Sequence, residues 1–200
     1  MFICIEGNIG SGKSTLAEAL AKKLKATYLP EQFEDNTLLP LFYNDNKTFA
    51  FPTEYSFLID RQKQLTNYFN SIKKGTITVS DFHFDKCLCF ANANLSSKDF
   101  SFFKKHFKPL KKTIPTPQLV VYLDTTTELL TKNIQKRGRL IEKNLKKSYL
   151  EKLKKSLDRY YKLDGKINTV VLILTIKEYN ASVLENCCKE IIEIIEKTKK

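Results

Sequence analysis

The chain has 200 residues, enough for one domain with a central sheet and helices on both faces, and its 42% hydrophobic and 28% charged residues are typical of a soluble globular protein. Its longest apolar run, TVVLILTI, is far shorter than the ~20 residues that cross a membrane, and the N-terminus lacks the basic and cleavage regions of a secretion signal. The net charge of +12 would suit a nucleic-acid binder, but 30 of the 34 basic residues are lysines spread over nearly every predicted helix, which argues against a single basic face.

Five cysteines are scattered along the chain without zinc-type spacing, and most of them lie in apolar segments. We therefore expect reduced thiols in the core. Together with the charge pattern, this predicts a cytoplasmic protein that binds neither a membrane nor a nucleic acid.

The first predicted elements are a buried strand, a glycine-rich loop and a helix. Phe2 to Glu6 is a short apolar run, and residues 7–15 then read GNIGSGKST, which fits the pattern G-x-x-x-x-G-K-[ST]. The segment KSTLAEALAKKLK follows with apolar residues at helical spacing. Because the motif stands between a strand and a helix, we interpret it as a phosphate-binding P-loop.

Further along the chain, strand patterns alternate with helical patterns. We predict an extended piece over 26–33, strands over 76–81, 119–124 and 169–176, and helices over 53–74, 86–95, 99–112, 126–137, 149–163 and 181–200. This alternation predicts an α/β chain with the three-layer fold of P-loop NTPases, a doubly wound parallel sheet with helices on both faces and the ligand at the C-terminal strand ends. Nothing divides the chain, so residues 1–200 are predicted to form a single domain.

The loop predicts a nucleotide triphosphate site. Glycines allow successive backbone N–H groups to point at the phosphates, and the helix N-terminus adds positive potential. The side chain of Lys13 can neutralise the transferring phosphoryl group, and Ser14 can ligate Mg²⁺ together with Asp81 at the end of the second strand. Asp81 has an alternative role as a helix N-cap. The predicted nucleotide-binding residues are Gly7, Asn8, Ile9, Gly10, Ser11, Gly12, Lys13, Ser14 and Thr15.

A kinase of small molecules also needs a group that accepts the proton of the attacking hydroxyl. Glu31 lies at the end of the extended piece, near the same edge of the predicted sheet. Its alternative is a solvated charge in a loop.

Five segments in register give the chain a resemblance to a known family. They cover residues 7–15, 29–43, 49–61, 80–91 and 137–150. In order and spacing they resemble the deoxynucleoside kinase family, and within it the bacterial deoxyadenosine and deoxyguanosine kinases. The resemblance covers roughly residues 1 to 163, and the remaining residues are similar only in their strand-plus-helix outline.

The resemblance implies a reaction in which the γ-phosphate of ATP passes to the 5′-hydroxyl of a deoxynucleoside in nucleotide salvage, with Mg²⁺ as the metal. Glu31 matches the general base, whereas Tyr43 and Glu142 match the residues that hold the sugar 3′-hydroxyl. Arg137 and Arg139 match arginines of a lid, here about residues 137–147, that close over the phosphates.

Two further roles come from the resemblance. Arg61 matches an arginine that contacts the base, and the ATP base is expected against residues 176–179. The family also implies a homodimer formed through helices around residues 53–74 and 86–110.

The chain departs from the family pattern at Glu54, where most members have a glutamine that reads the base. A carboxylate only accepts hydrogen bonds, which suits the adjacent N1–H and amino donors of guanine. It suits the adenine amino group less completely. We therefore expect a purine deoxynucleoside, with deoxyguanosine favoured.

A second departure exchanges two charges. Asp81 stands where the family usually has an arginine, and Lys86 stands where some members have a base-reading aspartate. Either Asp81 takes the Mg²⁺ role while Lys86 replaces the arginine near the 5′-oxygen, or the two side chains form a structural pair.

Three rival functions remain to be tested. A thymidylate kinase-like nucleoside monophosphate kinase would share the P-loop and the basic lid, but it needs an early phosphate-anchoring arginine, and the first 60 residues contain no arginine. A basic nucleic-acid-binding P-loop ATPase would need its lysines on one face. A binding protein with a degenerate P-loop is disfavoured because Lys13, Ser14 and Glu31 are all present.

Overall fold

The central feature of the fold is one parallel five-stranded sheet. A computed structural model describes residues 1–143, 145–163 and 169–198. The strands are β1 (Phe2–Gly7), β2 (Thr27–Leu29), β3 (Thr78–Ser80), β4 (Leu119–Thr125) and β5 (Val170–Ile176), and they are arranged in the order β2-β3-β1-β4-β5. Each neighbouring pair is parallel, with Ile3 beside Val79 on one side and beside Leu119 on the other.

Eight α-helices connect and cover the strands in the described part of the chain. They are α1 (Lys13–Leu24), α2 (Leu38–Asn44), α3 (Asn46–Ser71), α4 (Lys86–Asn94), α5 (Ser97–Lys111), α6 (Thr127–Arg137), α7 (Lys147–Asp158) and α8 (Ala181–Thr198). A 3₁₀ turn covers Leu140–Glu142 in the predicted lid, and a π-helical turn over Arg159–Leu163 extends α7.

The core lies on both faces of the sheet because side chains alternate along each buried strand. In β1, Phe2 and Cys4 pack into the cluster formed with α3, α4, α5 and α7, whereas Ile3 and Ile5 pack into the cluster formed with α1 and α8. The predicted three-layer fold is therefore confirmed. The expected burial of the cysteines is also observed, since all five side chains are buried.

Helix α3 begins seven residues earlier than predicted, at Asn46 rather than Thr53. Pro52 lies in the second turn of this helix, where its missing N–H removes one helical hydrogen bond. The helix begins instead after Asp45, whose side chain accepts a hydrogen bond from Thr48 N at 3.2 Å.

The topology brings several strand ends to one edge of the sheet. The P-loop follows β1, Glu31 follows β2 by two residues, and Asp81 follows β3 directly. Because β2, β3 and β1 are parallel neighbours, these three segments open on the same side. Helices α2, α3 and α4 close the far side of this region and carry its remaining side chains.

Candidate active site

Two glycines shape the P-loop. Gly10 and Gly12 have φ angles of 81° and 87°, in the left-handed region that favours glycine. A Cβ atom on Gly12 would also lie 2.2 Å from the ring of Tyr179, whose hydroxyl donates to Gly12 O at 2.7 Å. Tyr179 follows β5, so the segment expected to face the ATP base contacts the P-loop directly.

Lys13 faces the inside of the loop, where its Nζ donates to Asn8 O at 2.8 Å. Burial and then repulsion by Lys86 lower the pKa of Lys13 to about 8. A lysine with few tight partners and a lowered pKa gains the most from an incoming polyanion, as expected for a phosphate-binding lysine.

Ser14 and Asp81 are neighbours across the sheet edge. Ser14 Oγ donates to Asp81 Oδ2 at 2.5 Å, Tyr28 Oη donates to the same oxygen at 3.0 Å, and Glu31 N donates to Asp81 Oδ1 at 2.7 Å. The N-cap alternative for Asp81 is wrong, since α4 begins after Asp85. The hydroxyl and the carboxylate are the hard oxygen donors that Mg²⁺ prefers.

Glu31 is held by two cations. Its Oε1 accepts from Arg61 Nε at 2.8 Å and from Arg61 Nη2 at 2.6 Å, and its Oε2 accepts from Lys86 Nζ at 2.7 Å. Although burial alone would raise it, Lys86 and Arg61 lower the pKa of Glu31 to about 2. The solvated-loop alternative is therefore wrong, since Glu31 is a buried, ionised and oriented carboxylate.

The lid closes against the same cavity. Arg137 Nη2 forms an ion pair with Glu142 Oε2, and Arg139 Nη1 lies 3.9 Å from Glu142 Oε1. Arg139 also lies over the ring of Phe33 at 4.7 Å, which links the lid to the segment after β2. Glu142 is buried. Burial raises the pKa of the Tyr43 hydroxyl, and the nearby charge of Glu142 raises it further.

Glu54 lies at the other end of the cavity, 3% exposed on α3. Asn94 Nδ2 donates to Glu54 Oε1 at 2.6 Å and to Tyr149 Oη at 3.2 Å. Burial raises the pKa of Glu54 to about 7. Asn94 and Tyr149 line a groove of about 970 Å³, and Tyr149 lines both that groove and the cavity that contains Glu54.

One cavity thus brings together most of the predicted residues. It is lined by Ile9, Gly10, Lys13, Ser14, Glu31, Tyr43, Glu54, Arg61, Asp81, Lys86, Arg137, Arg139 and Glu142. Among the predicted nucleotide-binding residues, Gly7, Asn8, Ser11, Gly12 and Thr15 belong to the loop but do not line this cavity. Asn144, in the predicted lid, lies outside the described residues.

Comparison with known proteins identifies the family. A sequence profile of the family described as "Deoxynucleoside kinase" matches residues 3–199. The chain belongs to the deoxynucleoside kinase family. It is therefore a kinase whose acceptor is a deoxynucleoside, and the family match argues against the three rival functions.

Individual relatives support the same assignment. The chain is 39% identical to the deoxyguanosine kinase of Bacillus subtilis over 153 residues, which cover 76% of this chain and 74% of the relative. It is 28% identical to the deoxyadenosine/deoxycytidine kinase of the same organism, over 96% of this chain and 90% of that one. A solved structure of deoxyadenosine kinase from M. mycoides has a TM-score of 0.84 at 23% identity and covers 98% of this chain, which shows a shared fold.

Arg61 has protein partners that the family resemblance does not imply. It lines the cavity, but its Nε and Nη2 atoms bind Glu31, and its Nη1 donates to Cys87 Sγ at 3.2 Å. Arg61 thus orients the predicted general base in this deoxynucleoside kinase. A contact with the substrate base stays a prediction.

The exchanged charges, Asp81 and Lys86, have different partners. Asp81 contacts Ser14, Tyr28 and the backbone of Glu31, whereas Lys86 contacts the carboxylate of Glu31. The hypothesis that the two side chains form a structural pair is therefore wrong. The other account, with Lys86 near the 5′-oxygen, stays a prediction that this geometry favours.

Two functional candidates were missed in the sequence. Glu6 is fully buried, and its two oxygens accept from Gly7 N at 2.8 Å and from His83 N at 3.0 Å. It thereby joins the start of the P-loop to the segment after β3, and a lone carboxylate in an apolar strand was its only signal. Asn94, the partner of Glu54, lies in the helical segment KCLCFANANL, where nothing in its spacing distinguished it.

Proposed function

We propose that the protein transfers the γ-phosphate of ATP to the 5′-hydroxyl of a purine deoxynucleoside. The observation that carries this proposal is the pair of carboxylates in one cavity, with Glu31 held by Arg61 and Lys86 and Glu54 held by Asn94. The deoxyguanosine and deoxyadenosine kinases among the relatives support a purine acceptor.

At the donor end, the P-loop and Lys13 would bind the phosphates, and Arg137 and Arg139 would close over them. The adjacent oxygens of Ser14 and Asp81 fit a Mg²⁺ ion that keeps most of its water ligands. When bound, the metal neutralises developing charge on the phosphates. Tyr179, packed on Gly12, would lie beside the donor nucleotide.

At the acceptor end, Glu31 would accept a hydrogen bond from the 5′-hydroxyl. Its pKa of about 2 makes it a weak base, but a loose phosphoryl-transfer transition state needs little proton transfer before the bond to the leaving group breaks. Glu31 would therefore act mainly by orientation, which Arg61 and Lys86 provide. Tyr43 and Glu142 would hold the 3′-hydroxyl, so that Glu142 exchanges its contact with Arg137 for the sugar.

The protein is proposed to be a cytoplasmic homodimer. No helix in the described ranges is both long and apolar enough to span a bilayer. On α3 and α5, Phe51, Tyr55, Phe102 and His106 form an aromatic group in which Phe102 is 49% exposed. A partner seated on this group would bury it, so Phe102→Lys should lower the mass measured by light scattering from dimer to monomer.

A steady-state assay of all four deoxynucleosides with ATP and Mg²⁺ tests the proposed function. We expect the two purines to have the highest kcat/KM values, with deoxyguanosine ahead when Glu54 is ionised. A clear preference for thymidine or deoxycytidine would contradict the assignment of the base.

A further inference from the structure

The two carboxylate oxygens of Glu54 have unequal surroundings. Oε1 accepts the hydrogen bond from Asn94, whereas Oε2 is buried without a partner. Within the described residues, the other buried side-chain oxygens in this state are the hydroxyls of Ser11 and Thr125. A buried polar atom without a partner destabilises the folded protein, and more so when it carries charge. Oε2 therefore marks a position where a ligand supplies the missing hydrogen bond.

The groups around Glu54 leave its charge poorly compensated. The titratable side chains that face it are Arg61 on its own helix, Lys86 and Cys87 on α4, Tyr43 on α2 and Tyr149 on α7. Both cations are bound to Glu31, so they act on Glu54 only from a distance. Burial raises the pKa of Glu54 by more than the two cations and the Asn94 hydrogen bond together lower it. The pKa is therefore raised to about 7, and both protonation states are populated near neutral pH.

Asn94 determines which oxygen carries the proton. Oε1 accepts the hydrogen bond from Asn94, and an oxygen without a proton is the better acceptor. When Glu54 is neutral, its proton is therefore on Oε2. The neutral acid then presents a donor at Oε2 beside an acceptor at Oε1. The ionised form presents two acceptors.

These two patterns match two different purines. Adenine offers its N1 acceptor beside the N6 amino donor, which pairs with the neutral acid. Guanine offers the N1–H and N2 amino donors side by side, which pair with the carboxylate. The carboxylate leaves adenine N1 without a donor, and sites of this kind reject the wrong ligand strongly, whereas guanine can also pair with the neutral acid through its O6 acceptor and N1–H donor.

We propose that one proton on Glu54 controls the binding of deoxyadenosine, so that the neutral acid takes deoxyadenosine and the carboxylate rejects it in favour of deoxyguanosine, with Asn94 fixing the position of the proton. This inference rests on the proposed function, since it concerns the substrate of the same cavity. Glu54 is therefore the residue that determines specificity for the base, and Asn94 is a positioning residue.

The test is the ratio of kcat/KM for deoxyguanosine to that for deoxyadenosine, measured from about pH 5.5 to about pH 8.5. Titration of Lys13, of ATP and of every other shared group cancels in this ratio, because both substrates use them equally. Because the carboxylate rejects deoxyadenosine, the ratio should rise by about tenfold per pH unit once the pH exceeds the pKa of Glu54. A ratio that stays constant with pH would overturn the proposal, and this measurement needs no variant.

Two variants sharpen the result. Glu54→Gln keeps a donor beside an acceptor at every pH, so it should give a ratio that does not change with pH. Asn94→Ala removes the hydrogen bond that lowers the pKa of Glu54, so the fall in deoxyadenosine turnover should move to higher pH. A pH-dependent ratio in Glu54→Gln would contradict the assignment to this residue.

Lys98→Gln, a replacement of an exposed lysine on α5, is the control. His83 lies outside the cavity and is buried, and burial lowers its pKa to about 4, below the tested range. The control should keep the slope of the native protein. If both purines are phosphorylated with a constant ratio, only the proton switch fails. If neither purine is phosphorylated, the proposed function fails with it.

Discussion

Glu31 and Glu54 are two glutamates of one cavity whose surroundings shift their pKa values in opposite directions. Glu31 lies between Arg61 and Lys86, and its pKa is lowered to about 2. Glu54 lies at the apolar end beside one amide, and burial raises its pKa to about 7. The Glu31 side chain is 9% exposed and Glu54 is 3% exposed, so burial alone does not decide the charge of a carboxylate here. The number of cations within hydrogen-bonding distance decides it.

The comparison separates two tasks. The paired carboxylate is fixed in charge and direction, which suits a group that orients the attacking hydroxyl. The unpaired carboxylate changes charge near neutral pH, which suits a group that reads a base. Enzymes commonly assign different roles to two carboxyl groups by placing them in different environments.

The largest expected effect is that of Glu31→Gln. Loss of the carboxylate removes the acceptor for the 5′-hydroxyl, and we expect kcat to fall by about 10²–10⁴-fold. The preference between purines should not change, because Glu54 is untouched. Asp35→Asn, an exposed change in the same segment, should leave kcat within about twofold. Normal turnover in Glu31→Gln would remove Glu31 from the reaction.

Lys86→Gln should lower kcat by about 10–100-fold. Two effects oppose each other, because the pKa of Glu31 rises and makes it a stronger base, whereas the site loses a cation near the transferring group. Electrostatic stabilisation is usually the larger contribution, so a net loss is expected. The acid limb of the pH–rate profile should also move to higher pH, which a change in folding alone would not cause. Lys98→Gln, an exposed lysine replacement on α5, is the control.

Glu54→Gln should alter stability in a defined pH window. A carboxyl group whose pKa is raised on folding binds its proton more tightly in the folded state, so stability falls as pH rises from about 4.5 to about 7. Between pH 5 and about pH 8, the native protein should lose about 1–3 kcal/mol that the variant keeps. Denaturant unfolding at both pH values measures this difference. Equal pH dependence in both proteins would contradict an unpaired carboxylate at this position.

At pH values below this window, Glu31 is the carboxyl group that affects the stability of the fold. Its pKa is lowered on folding, so its contribution is present above about pH 4.5 and is lost as pH falls towards about 2. The two carboxylates therefore affect stability on opposite sides of the pH scale.

Arg61→Lys should have the smallest effect of the four, about a tenfold loss in kcat. Lysine keeps the charge but loses the fork of two donors that fixes Glu31. Because Arg61 acts on Glu54 only from a distance, the ratio of deoxyguanosine to deoxyadenosine turnover at one pH should remain that of the native protein. A changed ratio would mean that Arg61 contacts the base, as the family resemblance implies.

Much of this arrangement is predictable from the sequence, because local patterns determine it. The P-loop, the parallel sheet and the position of Glu31 follow from a motif between a strand and a helix and from strands that alternate with helices. The partner of Arg61 does not follow, because a guanidinium on α3 can reach either the base or Glu31, and only the packing of α3 against α4 selects one. The role of Asn94 cannot be predicted either, because a short polar side chain in a helix indicates a function only when the residue opposite it is known.

The contact between Tyr179 and Gly12 has a consequence for the evolution of this loop. Gly12 is restricted twice, by its φ of 87° and by the tyrosine ring that occupies the place of a Cβ atom. A smaller residue at position 179 could relieve the second restriction but not the first. No single substitution at position 179 can therefore make a larger residue acceptable at position 12.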